Sequence, residues 1–213
     1  ELFPWLNGKW SLIYNAKDEQ LLQQRASEPV DDPRINDNYI LAIERLEESQ
    51  KALSTLIRAY QLLRNEYHHE EKLYLLGKGR DEQLLRQLAE RLGIADSVVF
   101  LGFSSNPYPW IAHAKAIAHS AKFEGLPTVM IESLIMGKLI VATDCPTGPR
   151  EILDNGQAGL LTPVGNAEAL AEALHRILTD ESLQAAILAH AKEYKQQFLF
   201  NHAGKLFDEV IHS

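Results

Sequence analysis

The chain has 213 residues, 46% hydrophobic and 23% charged, as expected of a globular protein with one large domain or two small ones. Its net charge of −8 argues against nucleic acid as a partner. The lone Cys145 excludes an internal disulfide and favours a reducing compartment, and no apolar run is long enough to span a membrane or to act as an export signal.

Residue 1 is Glu rather than Met, so a fragment or processed chain is expected. In the first 38 residues, a strand is expected over residues 10–14 and a polar helix over 16–25. Residues 27–34, rich in Pro and Asp, read as a connector outside any core. From Tyr39 onward, apolar runs at residues 39–43, 73–76, 98–101, 116–118, 139–142 and 159–161 alternate with helical segments. The runs are continuous rather than alternating, the pattern of parallel strands covered on both faces. Leu53, Leu56, Ile57, Tyr60 and Leu63 keep helical spacing, as do Leu170, Leu174 and Ile177 behind an Asn166 cap. The expected fold is α/β, a doubly wound Rossmann-like parallel sheet over residues 39–180. Residues 1–38 form a connector and flank, and residues 181–213 form C-terminal helices.

In such sheets ligands bind beyond the carboxyl ends of the strands. After the first run, Arg45 and Lys51 share a strand-helix loop, a candidate anion site. The plain alternative is that they pair with Glu44, Glu47 or Glu48 on a solvated loop. After the second run, Gly77 and Gly79 mark a turn, but Glu82 replaces the third Gly of a dinucleotide fingerprint. No acid ends the third run, which closes on Gly102 and Phe103, so a nicotinamide-dependent oxidoreductase is disfavoured. Neither His113, His119 nor the pair His68-His69 shows metal-ligand spacing; they read as structural or surface residues, and no metal is expected.

Residues 122–132 read KFEGLPTVMIE. Gly125-Leu126-Pro127 opens a short apolar helix that Gly137 ends, and Glu124 stands at its start. Glu132 lies inside that helix, where an unpaired charge costs several kcal/mol. It needs either a protein donor, such as Lys138, or ligand hydroxyls such as a ribose diol. A second turn, Thr147-Gly148-Pro149, opens a further helix start suited to an anion.

Taken in order, these residues resemble family 4 of the retaining glycosyltransferases with GT-B architecture, which includes many bacterial polysaccharide and glycolipid enzymes. Glu124 and Glu132 are similar to its E-x7-E element, and the likeness spans roughly residues 39–180. Arg45, Lys51, Gly77 and Gly79, residues 99–102, the Thr147-Gly148 turn and residues 154–161 fall in family order. The resemblance implies a nucleotide-sugar donor, UDP- or GDP-linked, and no metal or cofactor. It implies that Arg45 and Lys51 bind the donor diphosphate and that Glu124 meets the sugar hydroxyls. Gly125, Leu126 and Pro127 would line sugar and phosphate, Glu132 would accept from the ribose, and Phe103 with Gly77 and Gly79 would surround the base. It further implies an N-terminal acceptor-binding domain outside this sequence, and transfer with retention in which the leaving phosphate deprotonates the acceptor. A cytoplasmic enzyme, peripheral at the inner membrane face and serving cell-surface polysaccharide or lipopolysaccharide assembly, is the family expectation. Two positions depart from the pattern: Glu44 stands where a Gly usually precedes the Arg, and Ala52 where a Gly usually follows the Lys. A non-catalytic nucleotide-sugar binding module is the alternative.

Overall fold

All six apolar runs form strands in the computed structural model, which describes residues 13–211. They are β1 (Tyr39–Ile43), β2 (Lys72–Leu76), β3 (Val98–Gly102), β4 (Ala116–His119), β5 (Ile140–Thr143) and β6 (Leu160–Thr162). Every pairing is parallel, in the order β3-β2-β1-β4-β5-β6. The direction of winding reverses between β1 and β4, and that switch point opens the crevice in which ligands of such sheets bind.

Ten helices are described: α1 (Glu19–Ala26), α2 (Glu48–Lys51), α3 (Leu53–Asn65), α4 (Glu82–Arg91), α5 (Tyr108–His113), α6 (Thr128–Ile135), α7 (Pro149–Ile152), α8 (Ala167–Thr179), α9 (Glu181–Tyr194) and α10 (Phe200–Ile211). Strand residues alternate between two cores, because successive side chains point to opposite sheet faces. From β1, Ile40 and Ala42 meet Leu56 of α3 and Leu174 of α8, whereas Tyr39 and Leu41 meet Trp110 of α5 and Ile131 of α6. Burying each large apolar side chain stabilises by about 1.5–3 kcal/mol relative to exposure. Packing on both faces therefore holds these short elements, several of which are too brief to persist alone.

Local signals set the helix ends. The Asn166 side chain accepts from Ala169 N at 2.9 Å to start α8, and Asp180 does the same for α9 from Leu183 N at 2.9 Å. Gly137, at φ 69°, follows the C-cap of α6. Pro127 is the residue before α6 rather than its first residue.

The flanks differ from a loose connector. The first helix runs over Glu19–Ala26, slightly later than expected, and starts on the Asp18 side chain. Of the strand expected over residues 10–14, only Ile13 and Tyr14 are among the described residues, and neither is in a strand. Leu22 and Ile35 are buried in the same core as Ala191, Phe198 and Leu199. A bridge joins the two ends: Lys17 N donates to Phe198 O at 2.8 Å, and Phe200 N donates to Lys17 O at 3.2 Å. The flanking segments thus complete the second core. Truncating Phe198→Ala should lower stability by about 3–5 kcal/mol in urea unfolding with a single transition. A loss below about 1 kcal/mol, or a separate early transition, would show that the tail is peripheral.

Candidate functional site

Four chain segments meet at the carboxyl ends of β1 to β4. The cleft between them measures about 590 Å³ and is lined by Glu44, Arg45 and Lys51, by Gly77 and Lys78, by Phe103, and by Glu124 with Pro127.

The β1–β2 side is built on two glycines. A Cβ on Gly77 would lie 1.9 Å from Glu44 O, and one on Gly79 would lie 2.2 Å from Leu46 O. The missing side chains let the ladder run past the strand ends, with Glu44 N donating to Leu76 O at 3.0 Å and Leu46 N to Lys78 O at 3.1 Å. The glycines therefore serve strand-to-strand approach first, and Gly79 does not line the cleft.

Lys51 ends α2, and the next residue, Ala52, takes a left-handed conformation at φ 46° before α3 begins. That conformation costs an L-residue about 1–2 kcal/mol, which accounts for why a Gly would suit the position. The Ser120 hydroxyl donates to Lys51 O at 2.8 Å, and Lys122 N donates to Gln50 O at 2.8 Å. These bonds clamp α2 to the loop after β4.

The charges around Lys51 form a closed group. Its Nζ lies 2.8 Å from Glu44 Oε2 and also pairs with Glu124 Oε1. His119, the last residue of β4, lies against the same two acids, with Nδ1 close to Glu44 Oε1 and Nε2 at 3.4 Å from Glu124 Oε1. The side chains are 13%, 3%, 8% and 1% exposed for Lys51, Glu44, Glu124 and His119. Neither imidazole nitrogen makes an aligned hydrogen bond, so these are ion contacts. Burial disfavours the charged form of His119, but Glu44 and Glu124 outweigh it and raise its pKa to about 9. Burial likewise opposes charging of Lys51 and of Glu124. The neighbouring opposite charges prevail, moving the lysine up and the Glu124 carboxyl down. Side-chain atoms of Glu44, His119 and Glu124 lie within 4.8 Å of one another, and the positive charge that bridges the two carboxylates is the Lys51 ammonium.

Arg45 behaves differently. It is 68% exposed and reaches Glu47 only at 3.6 Å, leaving its guanidinium at the cleft rim. Phe103, 71% exposed, stands at the opposite rim. Glu132 is satisfied within the protein: Lys17 Nζ donates at 3.0 Å and Tyr108 Oη at 3.1 Å, both to Oε1. Lys138, the donor expected from the sequence, bonds Ala112 O at 2.8 Å instead.

Glu132, Gly125, Leu126, Thr147 and Gly148 do not line this cleft. Thr147 and Gly148 line a neighbouring one of about 600 Å³ with Asp144, Arg150 and Tyr194. The two clefts share a wall, since a Cβ on Gly148 would lie 2.4 Å from Gly125 O and 2.6 Å from Pro127 Cδ. Thr147 Oγ1 also bonds Glu124 O.

Of the two readings for His119, structural or surface, burial leaves the structural one, and the residue stands within the charge group of the site. Its place at the end of β4 is the signal in the sequence that points to the site. Lys78, Gln50, Ser104 and Thr128 also line the cleft without having been singled out.

Residues 24–194 match the family model of glycosyl transferases group 1, and the chain belongs to that family. The sheet order, the strand-end cleft and the match together define it as the C-terminal, Rossmann-like half of a GT-B glycosyltransferase. A Campylobacter jejuni N-acetylgalactosamine-N,N'-diacetylbacillosaminyl-diphospho-undecaprenol 4-alpha-N-acetylgalactosaminyltransferase is 34% identical over 190 residues, 89% of this chain and 50% of that protein. The lipopolysaccharide core biosynthesis glycosyltransferase LpsE of Rhizobium meliloti is 32% identical over 144 residues, 68% of this chain and 41% of that protein. Anabaena HepE, solved in complex with UDP-glucose, superposes with a TM-score of 0.79 at 25% identity, covering 95% of this chain and 57% of HepE. The chain spans at most about half the length of these two curated relatives. No described helix is long and apolar enough to cross a membrane.

Two outcomes follow from the charges. Lys17→Met removes one of the two donors to Glu132 and should cost about 1–3 kcal/mol in chemical denaturation, with Tyr108→Phe costing about 1 kcal/mol. His119 has a folded pKa of about 9 against about 6.5 unfolded, so its contribution is complete below pH 6.5 and lost as pH rises through 9. Wild-type stability should fall over that window more steeply than that of His119→Leu; parallel curves would refute the assignment.

Proposed function

We propose that this chain is the nucleotide-sugar donor-binding domain of a retaining glycosyltransferase that needs no metal. The observation that carries the reading is the convergence of Arg45, Lys51, Glu124, Gly77 and Phe103 on one cleft at the switch point of the sheet. A diphosphate between Arg45 and Lys51 would meet two cations, one exposed at the rim and one held deep. Those charges would stabilise the negative charge that develops on the leaving diphosphate during transfer. Glu124, beside Lys51, is placed for sugar hydroxyls, and Phe103 offers a flat apolar face to a base.

Glu132 would receive the ribose. Both of its protein donors address Oε1, so a diol can approach through Oε2 or displace Lys17. Acceptor binding is assigned to a second domain of the full-length enzyme, because the chain covers 50% of a relative that it matches over 190 residues. The UDP-sugar complex of HepE and the glycolipid and lipopolysaccharide roles named for the relatives support a UDP-linked donor and a cell-surface polysaccharide or glycolipid product. A cytoplasmic location, peripheral at the membrane face, accords with such acceptors.

Calorimetric titration with UDP, GDP and ADP tests the site. At least one nucleotide should bind, and Lys51→Ala should weaken it at least tenfold. Glu132→Ala should weaken the bare nucleotide, whereas Glu124→Ala should mainly weaken the nucleotide-sugar. The isolated chain should transfer little sugar. Absence of binding to all three nucleotides, or robust turnover by this chain alone, would refute the proposal.

A further inference from the structure

Lys51 cannot serve a diphosphate without leaving something behind. Its Nζ bridges Glu44 and Glu124, and both carboxylates are nearly buried. If the ammonium turns toward an incoming anion, two negative charges remain beside that anion in a poorly hydrated place. A buried carboxylate that loses its partner costs several kcal/mol, and a nearby diphosphate adds repulsion. The site as drawn from Lys51 and the two acids alone would reject the ligand it is expected to hold.

His119 resolves this conflict. Its ring lies against the same pair, with Nδ1 toward Glu44 Oε1 and Nε2 toward Glu124 Oε1, the oxygen that Lys51 also meets. A neutral imidazole carries one N–H and one lone pair, so in either tautomer the unprotonated nitrogen would sit beside a carboxylate oxygen with no proton between them. Only the imidazolium is favourable toward both acids. The count is then two negative and two positive charges, so when Lys51 is drawn away His119 offsets one of the two carboxylates and leaves a single negative charge rather than two.

We propose that His119 is a positioning residue that carries the counter-charge for Glu44 and Glu124, and that it must be protonated for Lys51 to leave those carboxylates and grip a nucleotide diphosphate. The inference rests on the donor-site reading above and adds to it a residue and a charge state. The titratable groups facing His119 are Glu44 from the end of β1 and Glu124 from the loop after β4. Beyond the acids lie Lys51 of α2 and Cys145 after β5. Burial and Glu124 push the Cys145 thiol up to about 11, so it stays neutral while His119 titrates near 9. Lys51 titrates above its ordinary range and keeps its charge through the same window. Affinity for a diphosphate should therefore be retained below about pH 8 and fall as pH rises through the His119 titration.

The test is a double-variant cycle read by nucleotide affinity, using whichever of UDP, GDP and ADP binds the wild-type chain. His119→Leu should weaken binding at least tenfold at pH 7.5. Glu44→Ala/His119→Leu, which removes the charge along with its compensation, should bind within about threefold of wild type. Recovery in the double variant also shows that the leucine is compatible with folding. Between pH 7.5 and 10 the wild-type affinity should drop more than that of the double variant. His119→Leu binding as wild type, a double variant no better than the single, or equal pH profiles would each overturn the proposal while leaving the donor site in place. A wild-type chain that binds none of the three nucleotides would overturn the donor-site reading itself, and the proposal with it.

Discussion

The constraint on which the molecule depends is that its sheet is buried on both faces. Side chains of β1 go alternately into two apolar cores, and neither face has room for unpaired charge. Polar function is pushed to the one edge where the strands end and the helices begin. The reversal of strand order at β1 and β4 then spreads the loops there and leaves a crevice rather than a packed seam. Gly77 and Gly79 extend the β1–β2 ladder into that edge, so the cleft wall is backbone held by hydrogen bonds instead of a free loop.

Within that edge the charges are arranged as a compensated set. Lys51 and His119 both contact Glu44 and Glu124, while Arg45 stays largely in water. The difference in burial separates two jobs that residue type alone would have merged. An exposed guanidinium steers and contacts an anion at small desolvation cost, whereas a buried ammonium needs partners before any ligand arrives. The acids that partner Lys51 come from the end of β1 and the loop after β4, so the set also joins the two halves of the sheet across its switch point.

Much of the fold was legible because continuous apolar runs between helical spacings have one economical arrangement. Residues 39–43, 73–76 and 98–101 each became strands within a residue or two. The flanks were harder to read. Leu22 lies in a Leu-Leu pair among glutamines and Phe198 opens a Phe-Leu-Phe run, both too short for their period to signal burial, and only the folded chain brings them to the same core. At the site, Arg45, Lys51 and Glu124 follow from the strand-end rule and line one cleft, where Arg45 and Lys51 also have the Glu47 and Glu44 partners that a plain loop would give them. Glu132 has the protein donor that the sequence requires of it, but the donor is Lys17, 115 residues away, and not Lys138, its neighbour along the chain. His119 was passed over because a single histidine without ligand spacing looks ordinary until two carboxylates from distant segments close on it.

The contact between the loops at Gly125 and Gly148 has a consequence for how this edge can change. Glu124 N lies 3.5 Å from Pro146 O, Thr147 Oγ1 bonds Glu124 O, and Gly148 leaves no space for a side chain against Gly125 and Pro127. The two loops are therefore tied to each other, although Thr147 and Glu124 are 23 positions apart in sequence. Any displacement that repositions the carboxylate of Glu124 is shared by the wall of the neighbouring cleft, so reshaping one cleft to suit a different occupant reshapes the other.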